Sequence, residues 1–140
     1  MPENGHCFAI RVYYEDTDAG GIVYHSNYLK YAERARTEWL RGIGIAQREW
    51  RQETGLAFAV TRCEIDYRRP ARLDDLLDVS TQVLDIGGAS VTVAQVIRRE
   101  SDDVARLRLT VACIDRDGRP ARLPQNIRAA MAATAQGVGA

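Results

Sequence analysis

The chain is poor in lysine, histidine and cysteine, and each shortage closes off a class of function. Lys30 is the single lysine, and His6 and His25 are the two histidines in 140 residues. Nineteen basic side chains cancel nineteen acidic ones to a formal charge of zero. No net field draws a polyanion, so nucleic acid is not an expected partner. The three cysteines, Cys7, Cys63 and Cys113, are odd in number and lack CxxC spacing. That argues against a disulfide framework and against a zinc cage. Each falls in an apolar strand pattern and is expected as a buried thiol, and no metal site is expected. Long apolar runs are also missing, since no stretch approaches the roughly 18 residues of a spanning helix. The opening MPENGHCFAI has neither the basic start nor the apolar core of a signal peptide. The expectation is a cytoplasmic protein without a membrane span.

What is there suits one domain. A chain of 15.6 kDa with 46% hydrophobic residues can fill one core. Residues 1–140 are expected to form a single domain, with the small-residue tail AQGVGA, from about 135, frayed.

Periodicity gives the order of elements. Phe8, Ile10, Val12 and Tyr14 alternate over 7–14 as on a strand, which puts Tyr14 where core meets loop. Residues 28–43 then take a helical period, with Tyr28, Leu29, Ala32, Ala35, Trp39, Leu40 and Ile43 on one face. Ser26 or Asn27 can cap that helix, and Gly42 and Gly44 mark its end. Arg36 falls inside the apolar sector, either snorkelling at its edge or paired with Glu33 or a loop carboxylate. A short helical piece carries Trp50 and stops near Gly55.

Strands are predicted over 57–67, 76–86, 90–99 and 104–114. The first should cover one face (Ala57, Ala59, Thr61, Cys63, Ile65, Tyr67) and wet the other, with Pro70 stopping it. Gly87-Gly88 is a hairpin signal, and Asp117-Gly118 closes the last strand, whose covered face is Ala105, Leu107, Leu109, Val111 and Cys113. A weak helix follows at about 125–134. Short turns between successive strands imply antiparallel pairing, so the class is α+β with one long helix packed on a curved sheet.

The chemistry concentrates in YEDTDAGGIVYHSNY, residues 14–28, which places Asp16, Asp18, two adjacent glycines and His25 just before the long helix. An aspartyl nucleophile of the phosphotransferase kind would need a larger doubly wound domain and a downstream lysine, but this chain has only Lys30, two residues into its helix, and no alternating βα pattern. A calcium loop starting at Asp16 would have Gly20 at its fifth position, where an oxygen ligand belongs, and Asn27 at its twelfth, where a bidentate acid belongs. A catalytic carboxylate facing a helix N-terminus fits better. Glycines let the backbone close around a ligand, free N–H groups of the first turn can hold an oxyanion, and a carboxylate beside them can activate water or attack directly. His25 can orient water, donate a hydrogen bond or protonate a leaving group. Such parts suit hydrolysis of an activated acyl group.

The segment RVYYEDTDAGGIVYHSNYLKYAERARTEWL, with YRRPARLDDLLDV downstream, resembles the hotdog-fold acyl-CoA thioesterases of the 4-hydroxybenzoyl-CoA thioesterase superfamily, most closely the branch associated with the Tol-Pal system. The resemblance runs from residue 8 to about 131 and implies an antiparallel sheet wrapped around one long central helix. It also implies Asp18 as the catalytic carboxylate, with His25 and Tyr14 accompanying it, and the His25 backbone N–H as oxyanion donor. Gly20 and Gly21 would shape the loop around substrate, and Arg68, Arg69 and Arg72 would dock the coenzyme A phosphates. The segment YHSNY departs from the hydroxybenzoyl-specific branch, which favours a short to medium aliphatic acyl group on coenzyme A or on acyl carrier protein. The resemblance implies a homo-oligomer, dimer or tetramer, whose sheets join edge to edge, and no cofactor beyond the coenzyme A of the substrate. A non-catalytic acyl-binding or scaffold subunit for envelope or phospholipid proteins, a 4-hydroxybenzoyl-CoA thioesterase, and a hydratase on the same fold are the alternatives.

Overall fold

The computed structural model describes residues 5–136. Strand β1 (His6–Arg11) leads through a 3-10 turn (Tyr14–Asp16) and an irregular loop to helix α1 (Asn27–Gly42) and the short helix α2 (Gln47–Thr54). Strands β2 (Ala57–Tyr67), β3 (Leu76–Ile86), β4 (Ser90–Arg99) and β5 (Asp102–Ile114) follow, then helix α3 (Gln125–Gln136). The five strands form one antiparallel sheet in the order β1-β3-β4-β5-β2. Helix α1 lies on it against β1, β3 and β4. The architecture is α+β, of the hotdog type.

Helix α1 is held by most of the face that the periodicity predicts, except that Leu29 is exposed, Ile43 is half-buried and Tyr31 is buried in addition. Tyr28, Tyr31, Ala32, Ala35, Trp39 and Leu40 are buried, and the two alanines let the helix sit close to the sheet. Below it the sheet offers Leu77, Val79, Val91, Val93, Ile97, Leu107 and Leu109, all buried. Each fully buried side chain of this size contributes about 1.5–3 kcal/mol. One polar clip runs through this apolar layer. Gln95, fully buried on β4, donates from Nε2 to the Ala32 carbonyl and to Thr81 Oγ1, both at 2.9 Å, and accepts from Arg36 Nη1 at 2.9 Å. Arg36 therefore neither snorkels nor ion-pairs, because a buried amide of the sheet is its partner.

Several local expectations are corrected. Strand β1 ends at Arg11, and Tyr14 stands in the 3-10 turn, 83% exposed, because the chain leaves the sheet before reaching it. Ser26 is helical itself (φ −71°, ψ −19°) and its side chain caps nothing, while Asn27 donates from Nδ2 to the Asp16 carbonyl at 2.8 Å. The turn from β3 to β4 falls at Gly87-Gly88 as predicted, but β2 and β3 are not a hairpin. The segment around Pro70 carries the chain from β2 at one edge to β3, which lies beside β1 at the other. Helix α3 runs to Gln136, so the predicted tail is helical at its start; its remainder, 137–140, lies outside the described residues.

Strand β2 departs most from its predicted pattern. Its register with β5 shifts between Val60 and Arg62, so Thr61 is an extra residue and the alternation slips by one. Phe58 and Val60 lie opposite Cys113 and Val111, while Cys63, Ile65 and Tyr67 lie opposite Leu109, Leu107 and Ala105. All five therefore share the core side, whereas Ala57 and Ala59 do not. That side is left uncovered beyond Ala59: residues 60–64 are exposed and Ile65 is half-buried. Cys63 is exposed and Cys7 half-buried; Cys113 alone is a buried thiol. Among the described residues no helix is long and apolar enough to cross a membrane.

Candidate active site

The loop between β1 and α1 is fixed to the β2–β3 connection by backbone pairing. Val12 N–H donates to Asp75 O at 2.9 Å and Asp74 N–H returns to Val12 O at 3.0 Å. Further along, Val23 N–H donates to Ala71 O at 2.8 Å and Ile22 bridges Arg72. The Ala71 N–H donates to the Tyr28 hydroxyl at 3.0 Å, which ties the first turn of α1 to the same segment.

Within this frame the two aspartates behave differently. Asp16 is committed to the loop. Its Oδ2 accepts the Tyr13 N–H at 2.8 Å, and its carbonyl accepts Tyr24 N–H at 2.9 Å and Asn27 Nδ2 at 2.8 Å. The Tyr31 hydroxyl, buried in α1, faces Asp16 without a partner at bonding distance among the described residues; burial first, then the Asp16 carboxylate, push its pKa up. Asp18 is exposed, and its Oδ1 accepts the Gly20 N–H at 2.8 Å. Gly21 N–H donates to Asp18 O at 3.0 Å and Asp18 N–H to Ile22 O at 2.9 Å, closing a tight reversal. Gly21 has φ +80°, a conformation side chains resist, and a Cβ on Gly20 would sit 3.2 Å from Asp18 Oδ1.

His25 stands exposed at the entry to α1, its ring 4.5 Å from that of Tyr24 and 6.3 Å, edge-on, from Tyr67. The Tyr67 hydroxyl donates to the His25 carbonyl at 3.2 Å, whereas the His25 N–H has no acceptor among the described residues. A pocket of about 260 Å³ opens here, lined by His25, Tyr67, Arg68, Arg69, Pro70 and Ile22 among others. Asp18 does not line it, but its N–H donates to the carbonyl of Ile22, which does.

The structure thus groups His25, Arg68 and Arg69 in one pocket, with Asp18, Gly20 and Gly21 in the reversal beside it. Arg68 is loosely paired with Asp66 at 3.8 Å, and Arg69 Nη1 is 3.4 Å from the Asp103 carbonyl. Arg72 has its N–H on Asp75 Oδ2 at 2.8 Å, and its side chain is exposed. Tyr14 is not brought in. Its carbonyl accepts the Thr17 hydroxyl at 2.8 Å, and its own hydroxyl has no partner among the described residues. Sequence reasoning missed Tyr67 and Tyr24. Tyr67 reads as one more face residue of a strand, and nothing local shows that it meets His25, 42 residues away.

An exposed carboxylate on the reversal and an open N–H at the helix entry are groups that can activate water and hold an oxyanion. The family model of the thioesterase-like superfamily matches residues 12–131, which span the loop, strands β2 to β5 and the first half of α3. The chain belongs to that superfamily. Among its thioesterase relatives, the acyl-CoA thioesterase YbgC of Haemophilus influenzae is 44% identical over 131 residues, covering 93% of this chain and 96% of the relative. The crystal structure of a probable thioesterase from Bartonella henselae superposes with a TM-score of 0.83 at 36% identity, covering 86% of this chain and 99% of that one. A thioesterase from Thermus thermophilus, solved with coenzyme A and zinc, gives 0.84 at 27% identity over 97% and 98% of the two chains.

Proposed function

We propose that this chain hydrolyses short to medium aliphatic acyl thioesters of coenzyme A, with Asp18 as the general base. Membership of the superfamily and the 44% identical relative make it a thioester hydrolase; the proposal concerns which thioester and which residues. The observation that carries it is a contrast in exposure within the loop: each carboxylate accepts one backbone N–H, but Asp16 is half-buried beside Tyr31 whereas Asp18 is exposed. Asp18 takes a proton from water, and the hydroxide adds to the thioester carbon. The His25 N–H and the positive end of α1 hold the oxyanion. Its collapse breaks the C–S bond, and the departing thiolate recovers the proton from Asp18. The reaction needs only water and these groups, so the one coenzyme is the coenzyme A of the substrate.

Arg68 and Arg69 at the pocket rim, with Arg72 across the Ile22 bridge, are suited to the coenzyme's phosphates. The exposed eleven-residue edge β2 supports a homo-oligomer joined along it, since a long bare edge otherwise invites uncontrolled pairing. The motif RVYYEDTDAGGIVYHSNY supports the Tol-Pal-associated branch, and substrates of this kind place the enzyme in the cytoplasm.

Free-thiol release from a panel running from acetyl-CoA to palmitoyl-CoA, with 4-hydroxybenzoyl-CoA added, tests the reading. A maximum among the short to medium aliphatic chains is expected. A maximum at 4-hydroxybenzoyl-CoA, or release no faster than in buffer throughout, overturns it. Light scattering on the same preparation tests the oligomer, for which a monomer mass is the contrary result.

A further inference from the structure

His25 carries the oxyanion donor of the proposed mechanism, yet its own stretch of chain does little to hold it. Residues 24–27 form a turn closed by the Asn27 N–H on the Tyr24 carbonyl at 2.8 Å. The Asp16 carbonyl accepts Tyr24 N–H at 2.9 Å and Asn27 Nδ2 at 2.8 Å, so both ends of the turn are fixed. The peptide between His25 and Ser26 lies at its centre, which the closing bond of a turn does not reach. Ser26 makes no cap bond, and no backbone N–H reaches the His25 carbonyl among the described residues. What holds this central peptide comes from 42 residues away, where the Tyr67 hydroxyl donates to the His25 carbonyl at 3.2 Å.

The same side chain packs on the His25 imidazole, which has no hydrogen-bond partner among the described residues and rests against the rings of Tyr24 and Tyr67. Tyr67 in turn meets Tyr28 at 5.6 Å, and Tyr28 meets Tyr31 edge-on at 6.1 Å, both of them buried in α1. A line of rings thus runs from the core to His25. The backbone of Tyr67 is pinned as well. It pairs with the buried Ala105 of β5, and the next two N–H groups, of Arg68 and Arg69, donate to the Val104 carbonyl at 2.8 and 3.2 Å. A side chain mounted on a paired strand is a firmer reference than the loop it steadies.

We propose that Tyr67 is a positioning residue for hydrolysis. Its hydroxyl locks the central peptide of the 24–27 turn and its ring braces the imidazole, so that the His25 N–H stays aimed where the oxyanion forms. A donor held in place beforehand needs no reorganisation when charge develops. The effect on turnover rests on the reading of that N–H as oxyanion donor; the anchoring of the turn does not. Both bonded groups belong to one chain and need no access from solvent, so the anchor is compatible with pairing along β2.

Kinetics of Tyr67→Phe and Tyr67→Leu on the best acyl-CoA of the panel above, beside amide exchange of the full chain, are the test. Tyr67→Phe keeps the ring and loses the bond, so kcat should fall about tenfold with KM within about twofold of the parent's. Tyr67→Leu also loses the ring and should fall further. Tyr67 is 48% exposed, so Tyr67→Phe should melt with the parent. Exchange of the Asn27 amide, whose bond closes the turn, should quicken in Tyr67→Phe. A kcat within about twofold of the parent's, a rise in KM at unchanged kcat, or parental Asn27 exchange each overturn the proposal. Asp18→Asn separates it from the reading on which it rests. If that variant turns over like the parent, or the parent releases no thiol, the proposed mechanism fails. Asn27 exchange then decides the anchor alone, faster exchange upholding it and parental exchange overturning it.

Discussion

The two stretches of α1 that carry polar chemistry are built in opposite ways. At its entry, Asp18 and the His25 N–H face solvent with bonding capacity to spare, on a loop whose shape is held by Asp16, Asn27 and the β2–β3 connection. At its middle, Gln95, Thr81, Arg36 and the Ala32 carbonyl bond one another in the core. The same kinds of group thus serve reactivity where the scaffold withholds partners and cohesion where it supplies them. What separates them is whether the chain completes the hydrogen bonding, not residue type.

The sharpest way to break this comparison is Asp18→Asn. Turnover should fall by about 10²- to 10⁴-fold while the thermal midpoint stays near that of the parent, as calorimetry beside a thiol assay would report. A variant that lost both would make Asp18 a scaffold residue like Asp16. Gly20→Ala comes next, because its Cβ would crowd Asp18 Oδ1 from 3.2 Å and turn the carboxylate. A loss of about tenfold to a hundredfold in kcat, with binding of a non-hydrolysable thioether analogue retained, is expected.

Gln95→Leu probes the other stretch. It strips Arg36 and Thr81 of a buried partner and should cost about 1–3 kcal/mol in denaturant unfolding, with kcat of the folded fraction nearly unchanged. The smallest effect is acid-dependent. Partial burial pushes the Asp75 carboxyl up, but the Arg72 N–H and the Arg99 guanidinium, at 2.7 Å, outweigh it and hold its pKa below the ordinary 3.8. A carboxyl depressed by folding adds stability that is complete above its unfolded pKa and disappears as pH falls through the folded one. Asp75→Asn should therefore lower the midpoint at neutral pH and converge with the parent as pH falls through the depressed folded pKa.

The sequence reveals these regions unequally. Most of the helix face, the buried alternation of β5 and the Gly87-Gly88 turn are local patterns, and the structure reproduces them because apolar periodicity is set by burial itself. Asp18, Gly20, Gly21 and His25 lie within eight residues, so a loop is enough to assemble them. What was illegible depends on distant pairing. Thr61 reads as one more strand residue until β5 fixes the register, and Arg36 reads as a misplaced surface cation until Gln95, 59 residues on, is brought beneath it. Tyr14 was misplaced because alternation continued past the point where the sheet ends.

The strand order also constrains how the chain can come into being during synthesis. Both outer strands, β1 and β2, precede in sequence the three-strand meander β3-β4-β5 on whose flanks they pair. The first 67 residues, including the whole reactive loop, emerge from the ribosome with no strand to join. The partner of β1, strand β3, is complete at residue 86, whereas β2 must wait for β5, which ends at residue 114. The nascent enzyme is thus held back by its own topology, exposing β2 to promiscuous pairing until β5 is made.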